Sequence, residues 1–311
     1  MTQSDQVSPS AETGAAQPAG LGPSPSPGAK RRGGDTLHFA LRNKKLVGGS
    51  IVVLALLILG VVGPMVYTAS PVDYTGLPAQ QPFGEYPLGT TMSGQDVLAQ
   101  FLHGVRATFI VGLLGGGLAA LVGMTVGFLA GYRGGIVDEI LNMFTNILLV
   151  IPTLAVLIIL AAYLQVRGVL AEALFIGLTS WPWAARAVRS QTLSLAARDF
   201  VDLARLSGVR TWKIIVREIA PNMSSYLFMT FILLFGGAVL SAATLDFIGL
   251  GPTDSMSLGL MLNNAVKWSA LQLGMWWWFV PPGLGITAVV GSLYVMNVGL
   301  DEVFNPRLRE M

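Results

Sequence analysis

The sequence predicts an all-α integral membrane protein with six transmembrane helices, and three observations carry that prediction. The first is composition. Of 311 residues, 53% are hydrophobic, and counting the 37 glycines while leaving out the 7 tyrosines raises the apolar share to about 63%, against roughly 45–50% in soluble domains. Charged residues make up only 12% and mean hydropathy is +0.63, too little charge for a water-facing surface of ordinary density. The second is a series of long uncharged runs. A helix rising about 1.5 Å per residue needs roughly 20 apolar residues to cross a hydrocarbon layer of about 30 Å. The third is where the Lys and Arg residues fall, taken up below.

Residues 1–36 are rich in Ser, Pro, Gly and Ala and hold almost no large apolar side chains, so they cannot offset the entropy of ordering and read as a disordered tail preceding a 37–311 membrane domain. A signal peptide is the rival reading of this end, but its basic region should come first, and here the basic cluster begins only at Lys30. The uncharged run 46–67 also exceeds a signal-peptide apolar region, which predicts an uncleaved first span. Further runs at 107–132, 140–166, 219–245 and the second part of 268–300 predict four more. Segment 168–185 is shorter, carries Glu172 and contains Pro182, yet it lies between segments that must sit on opposite sides.

Charge resolves that case. With the N-terminus inside, the inner side receives sixteen of the nineteen Lys and Arg residues, leaving Arg106, Arg167 and Lys267 outside. The bias disappears if 168–185 does not cross. Six spans with both termini in the cytoplasm follow.

Two connections are long. In the outer one, 68–106, Val97, Leu98, Phe101, Leu102 and Val105 recur at helical spacing behind Ser93, with Asp96 three residues on. This is a capping-box pattern and predicts a short helix lying on the outer surface. The inner connection, 186–218, is too polar for lipid and too patterned for a plain linker. Asp199 and Asp202 fall in the first turns of a candidate helix, Gly208 stands where a left-handed residue would stop it, and Thr211 is placed to cap a second helix running to Pro221. A glycine-punctuated helix pair of this kind makes a docking surface. Arg198, Asp199, Asp202 and Arg205 would set its register by charge, and Phe200, Val201, Ala204 and Leu206 would supply apolar contact.

Within the spans, Gly112 and Gly116, and then Gly123, Gly127 and Gly131, repeat at four-residue spacing and predict close helix approach, either inside this subunit or against a partner. Pro152, Pro182 and Pro281-Pro282 interrupt spans three, four and the approach to six, to shape the bundle or to gate it. Asn142, Thr145 and Asn146 share a face of span three and, with Gln165, are candidates either for lining a path or for interhelical hydrogen bonds. Asp246 reads as an interfacial, solvated acid, and Trp276, Trp277, Trp278 and Phe279 as an aromatic belt. There is no cysteine, and the histidines are His38 and His103. Disulfides and thiolate sites are therefore excluded, and neither a metal nor a catalytic centre is expected. No Gly-Lys pair occurs, which rules out a Walker A loop: any ATP must be bound by another chain.

The stretch Arg198-Asp-Phe-Val-Asp-Leu-Ala-Arg-Leu-Ser-Gly208, continuing to Glu218-Ile-Ala-Pro-Asn222, resembles the cytoplasmic EAA loop of permease subunits from bacterial ABC importers. Asp202, Ala204, Gly208 and Pro221 match in type and spacing, while Leu203 replaces the usual second alanine and Ala220 the usual leucine. Leu88-Gly-Thr-Thr-Met-Ser-Gly-Gln-Asp-Val-Leu98, Gly131-Tyr-Arg-Gly-Gly-Ile-Val-Asp138, Leu245-Asp-Phe-Ile-Gly-Leu-Gly251 and Asn305-Pro-Arg307 are similar to stretches of the C-type subunit of the oligopeptide/dipeptide branch. Thr91, Gln95, Ala242 and Asn305 depart from that pattern, with Ala242 standing for a usual Glu. The resemblance implies a type I ABC importer permease without cofactor or catalysis of its own. It implies a homologous second permease subunit, two ATPase subunits or domains holding ATP and Mg, an extracytoplasmic solute-binding protein and a lipid surround, with no nucleic acid. It also implies ATPase coupling through Arg198, Asp199, Phe200, Val201, Asp202, Leu203, Ala204, Arg205, Gly208 and Pro221. Peptide is the implied solute; nickel complexes, haem or another small solute are alternatives. An ion-coupled carrier would need ionisable groups near the bilayer midplane, which the uncharged runs lack.

Overall fold

The computed structural model describes residues 40–164 and 168–304. The tail 1–36, Gln165, Arg167 and the 305–307 motif lie outside the described residues. Among the described residues the chain is helical: α1 (Lys44–Val66), α2 (Val97–Arg133), α3 (Gly135–Val150), α4 (Thr153–Leu164), α5 (Val169–Ala196), α6 (Asp199–Leu206), α7 (Thr211–Ile214), a π-helical turn (Ile215–Ile219), α8 (Ala220–Asn222), α9 (Ser224–Phe247), α10 (Leu258–Lys267) and α11 (Trp276–Phe304). Four of these, α1, α2, α9 and α11, are each long and apolar enough to cross a bilayer, and the bent pair α3 and α4 makes a fifth if it forms one span. The protein is a multi-pass membrane protein.

Helix α1 starts where the Asn43 side chain accepts from the Leu46 N–H at 2.9 Å. It leaves Ile51, Leu54 and Ile58 well exposed, as a lipid-facing helix should. Against α11 it runs antiparallel and close: a Cβ placed on Gly49 would lie 2.7 Å from the Ser292 carbonyl, and one on Gly299 would lie 2.4 Å from the Leu46 nitrogen. Glu302 closes this contact by accepting from Asn43 Nδ2 at 2.8 Å and pairing with Lys45.

Helix α2 is the spine. The expected short outer helix is not separate: it is the first turns of α2, which continues unbroken for 37 residues. Nor does Ser93 cap it. Asp96 does, accepting from the Leu98 and Ala99 N–H groups at 2.8 and 3.1 Å and from the Tyr67 hydroxyl, a charge-assisted cap at the dipole's positive end. Ser93 instead bonds Thr91 and Gln95 in the preceding turn.

The glycine stripe packs inside this chain. Gly123, Gly127 and Gly131 meet Ala184, Val188 and Thr192 in order, so α2 and α5 run parallel, while Gly112 and Gly116 lie against Phe235 of α9. These contacts and the α1–α11 pairing bring Lys44, Lys45, Arg133, Arg186, Arg189 and the 198–217 segment to one end of the bundle, the basic end. A cluster built from Val105, Phe109, Ile232, Val239, Leu258 and Leu293 joins α2, α9, α10 and α11.

Three proline expectations separate. Pro152 lies in a true break: α3 and α4 meet at 79°, since the ring removes a donor and disfavours helical geometry before it. Pro182 leaves α5 continuous, and Pro281 and Pro282 lie inside α11. The aromatic belt is also corrected. Trp276 is 47% exposed, but Trp277 and Trp278 are buried, and Trp277 Nε1 donates to the Thr90 carbonyl at 3.1 Å. They are core that holds the 68–96 connection onto the bundle.

The glycine contacts yield a prediction. Gly127→Leu places a Cβ 2.7 Å from the Ala185 carbonyl, a backbone atom that cannot yield, and is expected to destabilise the fold by at least about 1–3 kcal/mol. Gly237→Ala, where a Cβ meets nothing within 4 Å, should stay within about 1 kcal/mol of the native chain. Thermal unfolding of the purified variants in detergent distinguishes the two.

Candidate functional site

The most elaborated surface lies at the basic end, where α5 gives way to α6, α7, the π turn and α8. Arg198 occupies the N-cap position of α6, Asp199 and Asp202 fall in its first turn and Arg205 in its last; the two acids and Arg205 complement the helix dipole, whereas Arg198 does not. The stop is built as expected. Gly208 has φ +71°, its N–H reaches the Arg205 carbonyl at 3.0 Å, and the Val209 N–H reaches Ala204 at 3.1 Å, a Schellman closure that needs a left-handed residue. The second helix differs in detail. Arg210 rather than Thr211 holds the N-cap position, without a side-chain cap, and the helix passes through the π turn before Pro221.

Helix α6 divides its apolar residues between two faces. Val201 is fully buried in a cluster with Val188, Ala196, Ile214, Ile219 and Met223, against which Phe200 and Ala204 are partly buried. Val201 thus serves the chain's own packing, and Phe200 and Ala204 give part of their surface to it. Leu203 and Leu206 are 64% and 86% exposed, and Trp212 and Val216 extend the exposed surface. Arg205 holds the assembly to α2: its guanidinium carbon lies 4.9 Å from the Tyr132 ring centroid, Nε donates to the Tyr132 hydroxyl at 3.4 Å, and Nη1 pairs with Asp202 at 3.1 Å.

Beside this surface α3 is tied to α5 by two arginines one turn apart. Arg189 donates to both carboxylate oxygens of Asp138, Nε at 2.5 Å and Nη2 at 2.6 Å, and Arg186 donates to Asn146 Oδ1 at 2.7 Å. Sequence reading took these arginines as topology signals only. The i, i+3 spacing of 186 and 189 on one face of a helix was the signal available, together with the acid that ends the 131–138 motif. Asn142, Thr145 and Asn146 share a face of α3 as expected, but they do not converge on one path. Thr145 is buried and donates to its own helix at Leu141, whereas Asn146 is exposed and held by Arg186. Gln165 lies outside the described residues.

Asp246, expected to be solvated, is 3% exposed and accepts from Ser257 at 2.5 Å. The connection after α9 folds back over it. Among the described residues no group of three or more His, Cys, Asp or Glu side chains is placed to hold a metal.

Asp138 opens α3 ahead of its uncharged run, and the Arg189 guanidinium holds its carboxyl below the usual carboxylate range. The sign follows: with the folded value depressed, the pair's contribution is present above the unfolded carboxylate range and is lost as pH falls through the folded value. Asp138→Asn should cost about 1–3 kcal/mol at neutral pH and flatten the acid limb of a stability-versus-pH curve. An unchanged acid limb would refute the role given to the pair.

Comparison with known proteins places this geometry. Residues 123–310 match the family described as binding-protein-dependent transport system inner membrane component. The chain is 28% identical over 273 residues to the dipeptide transport system permease protein DppC of Bacillus subtilis (strain 168), covering 86% of this chain and 83% of that one. It is 29% identical over 273 residues to the oligopeptide transport system permease protein OppC of the same organism, covering 86% and 87%. With OppC of Mycobacterium bovis (strain ATCC BAA-935 / AF2122/97) it shares 29% over 276 residues, covering 87% and 93%. With an all-helical fold, membrane-spanning helices and this extent of similarity, the chain belongs to the binding-protein-dependent transport system inner membrane component family, as a permease subunit resembling those of the dipeptide and oligopeptide systems.

Proposed function

We propose that this chain is the transmembrane subunit of an ATP-driven ABC importer for peptides, and that a separate ATPase drives it through the 186–222 region. In this reading α5 is the sixth span. Its 28 residues reach about 42 Å at 1.5 Å per residue, and its crossing places both termini and the basic end in the cytoplasm. The bias of sixteen Lys and Arg residues to three supports that orientation. The 37–311 permease domain then carries the 1–36 tail on its cytoplasmic side. The names of the relatives support peptide as the solute class. A homologous permease subunit completes the path, two ATPase subunits or domains hold ATP and Mg, and an extracytoplasmic solute-binding protein delivers the solute.

The observation that carries the docking reading is the pair Leu203 and Leu206, exposed on a short helix whose opposite face packs on the chain through Val201, with Phe200 and Ala204 partly buried beside it. Apolar side chains presented on a rigid helix outside the membrane are suited to a protein partner's groove. Asp199, Asp202 and Arg198 flank them with charge for register. Displacement of α6 would pass to α5 and the π turn through Val201 and to α2 through Arg205 and Tyr132. Because α2 and α5 are packed backbone to backbone, with α3 tied on by Asp138, they would move as one body against the rest of the path. This chain performs no covalent step. Of the candidates for lining the path we retain Asn142 and Gln165, since Thr145 and Asn146 are bonded within the subunit.

The test uses the chain expressed with its cognate ATPase and binding protein. Leu203→Asp and Leu206→Asp should each weaken ATPase association by roughly 10- to 100-fold and abolish solute-stimulated ATP hydrolysis. The unfolding temperature of the isolated chain should not change. Gly208→Val should lower both association and stability, because a β-branched residue is strained at φ +71°. Full ATPase coupling in both leucine variants would sink the docking reading, and labelling of 198–217 by an impermeant reagent on intact cells would sink the orientation.

A further inference from the structure

Two carboxyl groups meet at the end of the bundle away from the coupling segment. Glu172 near the start of α5 is 6% exposed and Asp246 near the end of α9 is 3% exposed, and the two residues line one small void. Asp246 Oδ2 accepts from the Ser257 hydroxyl at 2.5 Å. Each acid keeps one buried oxygen, Glu172 Oε1 and Asp246 Oδ1, without a protein partner. Both residues line a void between α2, α5, α9 and the start of α10, with about 10 Å³ open to the centre of a water-sized sphere, enough for a single water.

The surroundings are built around the pair. A Cβ on Gly251 would lie 2.2 Å from Asp246 Oδ1, and one on Gly259 would lie 2.7 Å from Asp246 Cβ, so glycine is needed at both places for the backbone to close over the acid. Among the described residues no cation is paired with either carboxyl. The other charged or titratable side chains at this end of the packed elements are His103 and Arg106 on α2, Tyr163 on α4, Asp254 in the connection and Lys267 on α10; Tyr132, Arg133, Arg186, Arg189 and Tyr226 lie toward the basic end of the same helices, and Arg167 lies outside the described residues. Among the described residues the ion pairs are Lys45 with Glu302, Arg189 with Asp138 and Arg205 with Asp202. Two carboxylates on the wall of one small void, shielded from water and without a paired cation among the described residues, repel each other and forfeit their hydration, so they do not both remain ionised.

We propose that Glu172 and Asp246 form a proton-binding site, holding one proton between them beside a single ordered water, and that the resulting hydrogen bond clasps α5 to α9 and the 251–257 connection. The acid next to Ser257 keeps the charge, since the hydroxyl donates to it, and Glu172 carries the proton. The clasp fixes one end of the helix whose other end bears Arg186, Arg189 and the coupling segment. It does not depend on the transported solute or on the ATPase.

The test uses the full-length chain in lipid nanodiscs. Infrared spectra at neutral pH should contain the carbonyl stretch of a protonated carboxylic acid, and the Glu172→Gln/Asp246→Asn double substitution should remove it. A proton held in the folded chain and released on unfolding makes stability fall as pH rises, so the native unfolding temperature should drop from neutral to alkaline pH. Glu172→Gln, a permanent neutral donor, should flatten that drop. If the glutamine variant does not fold, Asp246→Asn and the native spectrum decide the matter. Absence of the acid band, its persistence in the double variant, or a native unfolding temperature that follows sodium at fixed pH overturns the proposal, the last in favour of a bound cation.

Discussion

Lipid offers two apolar helices no hydrophobic reason to leave it for one another, so how closely their backbones approach decides which of them associate. In this chain that constraint is met along α2. Gly123, Gly127 and Gly131 admit α5 to within contact of its carbonyls, and Gly112 and Gly116 admit Phe235 of α9. The rest of the bundle depends on this contact. The α5 helix is the least apolar of the long helices and carries Glu172, and it is held by fit rather than by hydropathy. Its parallel register with α2 in turn places Arg186 and Arg189 opposite α3.

Polar groups then finish what the apolar stripe begins, and they sit at the helix ends. At the basic end, Arg189 with Asp138, Arg205 with Tyr132, and Glu302 with Asn43 and Lys45 tie neighbouring helices. At the opposite end, Asp96 caps α2 while receiving the Tyr67 hydroxyl, Trp277 bonds the Thr90 carbonyl, and Asp246 takes the Ser257 hydroxyl. Such bonds supply direction, which dispersion between small side chains does not. They also explain how 68–96, a connection with almost no regular structure, is positioned on the bundle.

The 198–222 segment illustrates what patterning can and cannot convey. The helix dipole and the left-handed stop at Gly208 are local effects, and both were legible from residues a few positions apart. The division of labour within α6 was not. Val201 and Leu206 are equally apolar, yet one is buried among Val188 and Ile219 and the other is almost fully exposed. Ser93 and Asp96 show the same limit at closer range: both are good capping residues, and the choice was made by the Thr91 to Gln95 turn that engages Ser93. The break at Pro152 was legible as a proline, but its 79° bend was not, because Pro182 and Pro281 sit inside helices that stay whole.

Residue order alone determined that the chain crosses a membrane, where its long connections lie, and which family its motifs resemble. Hydropathy, charge and short motifs are properties of neighbours in sequence, and they survive whatever the fold does. Only the tertiary structure decided that the glycine stripe serves this subunit's own packing, that Trp277 and Trp278 are core, that α3 is clamped to α5, and that Asp246 shares a buried void with Glu172 instead of meeting water. Each of these depends on partners far apart in the chain, brought together by helix packing. No window of local composition contains that information.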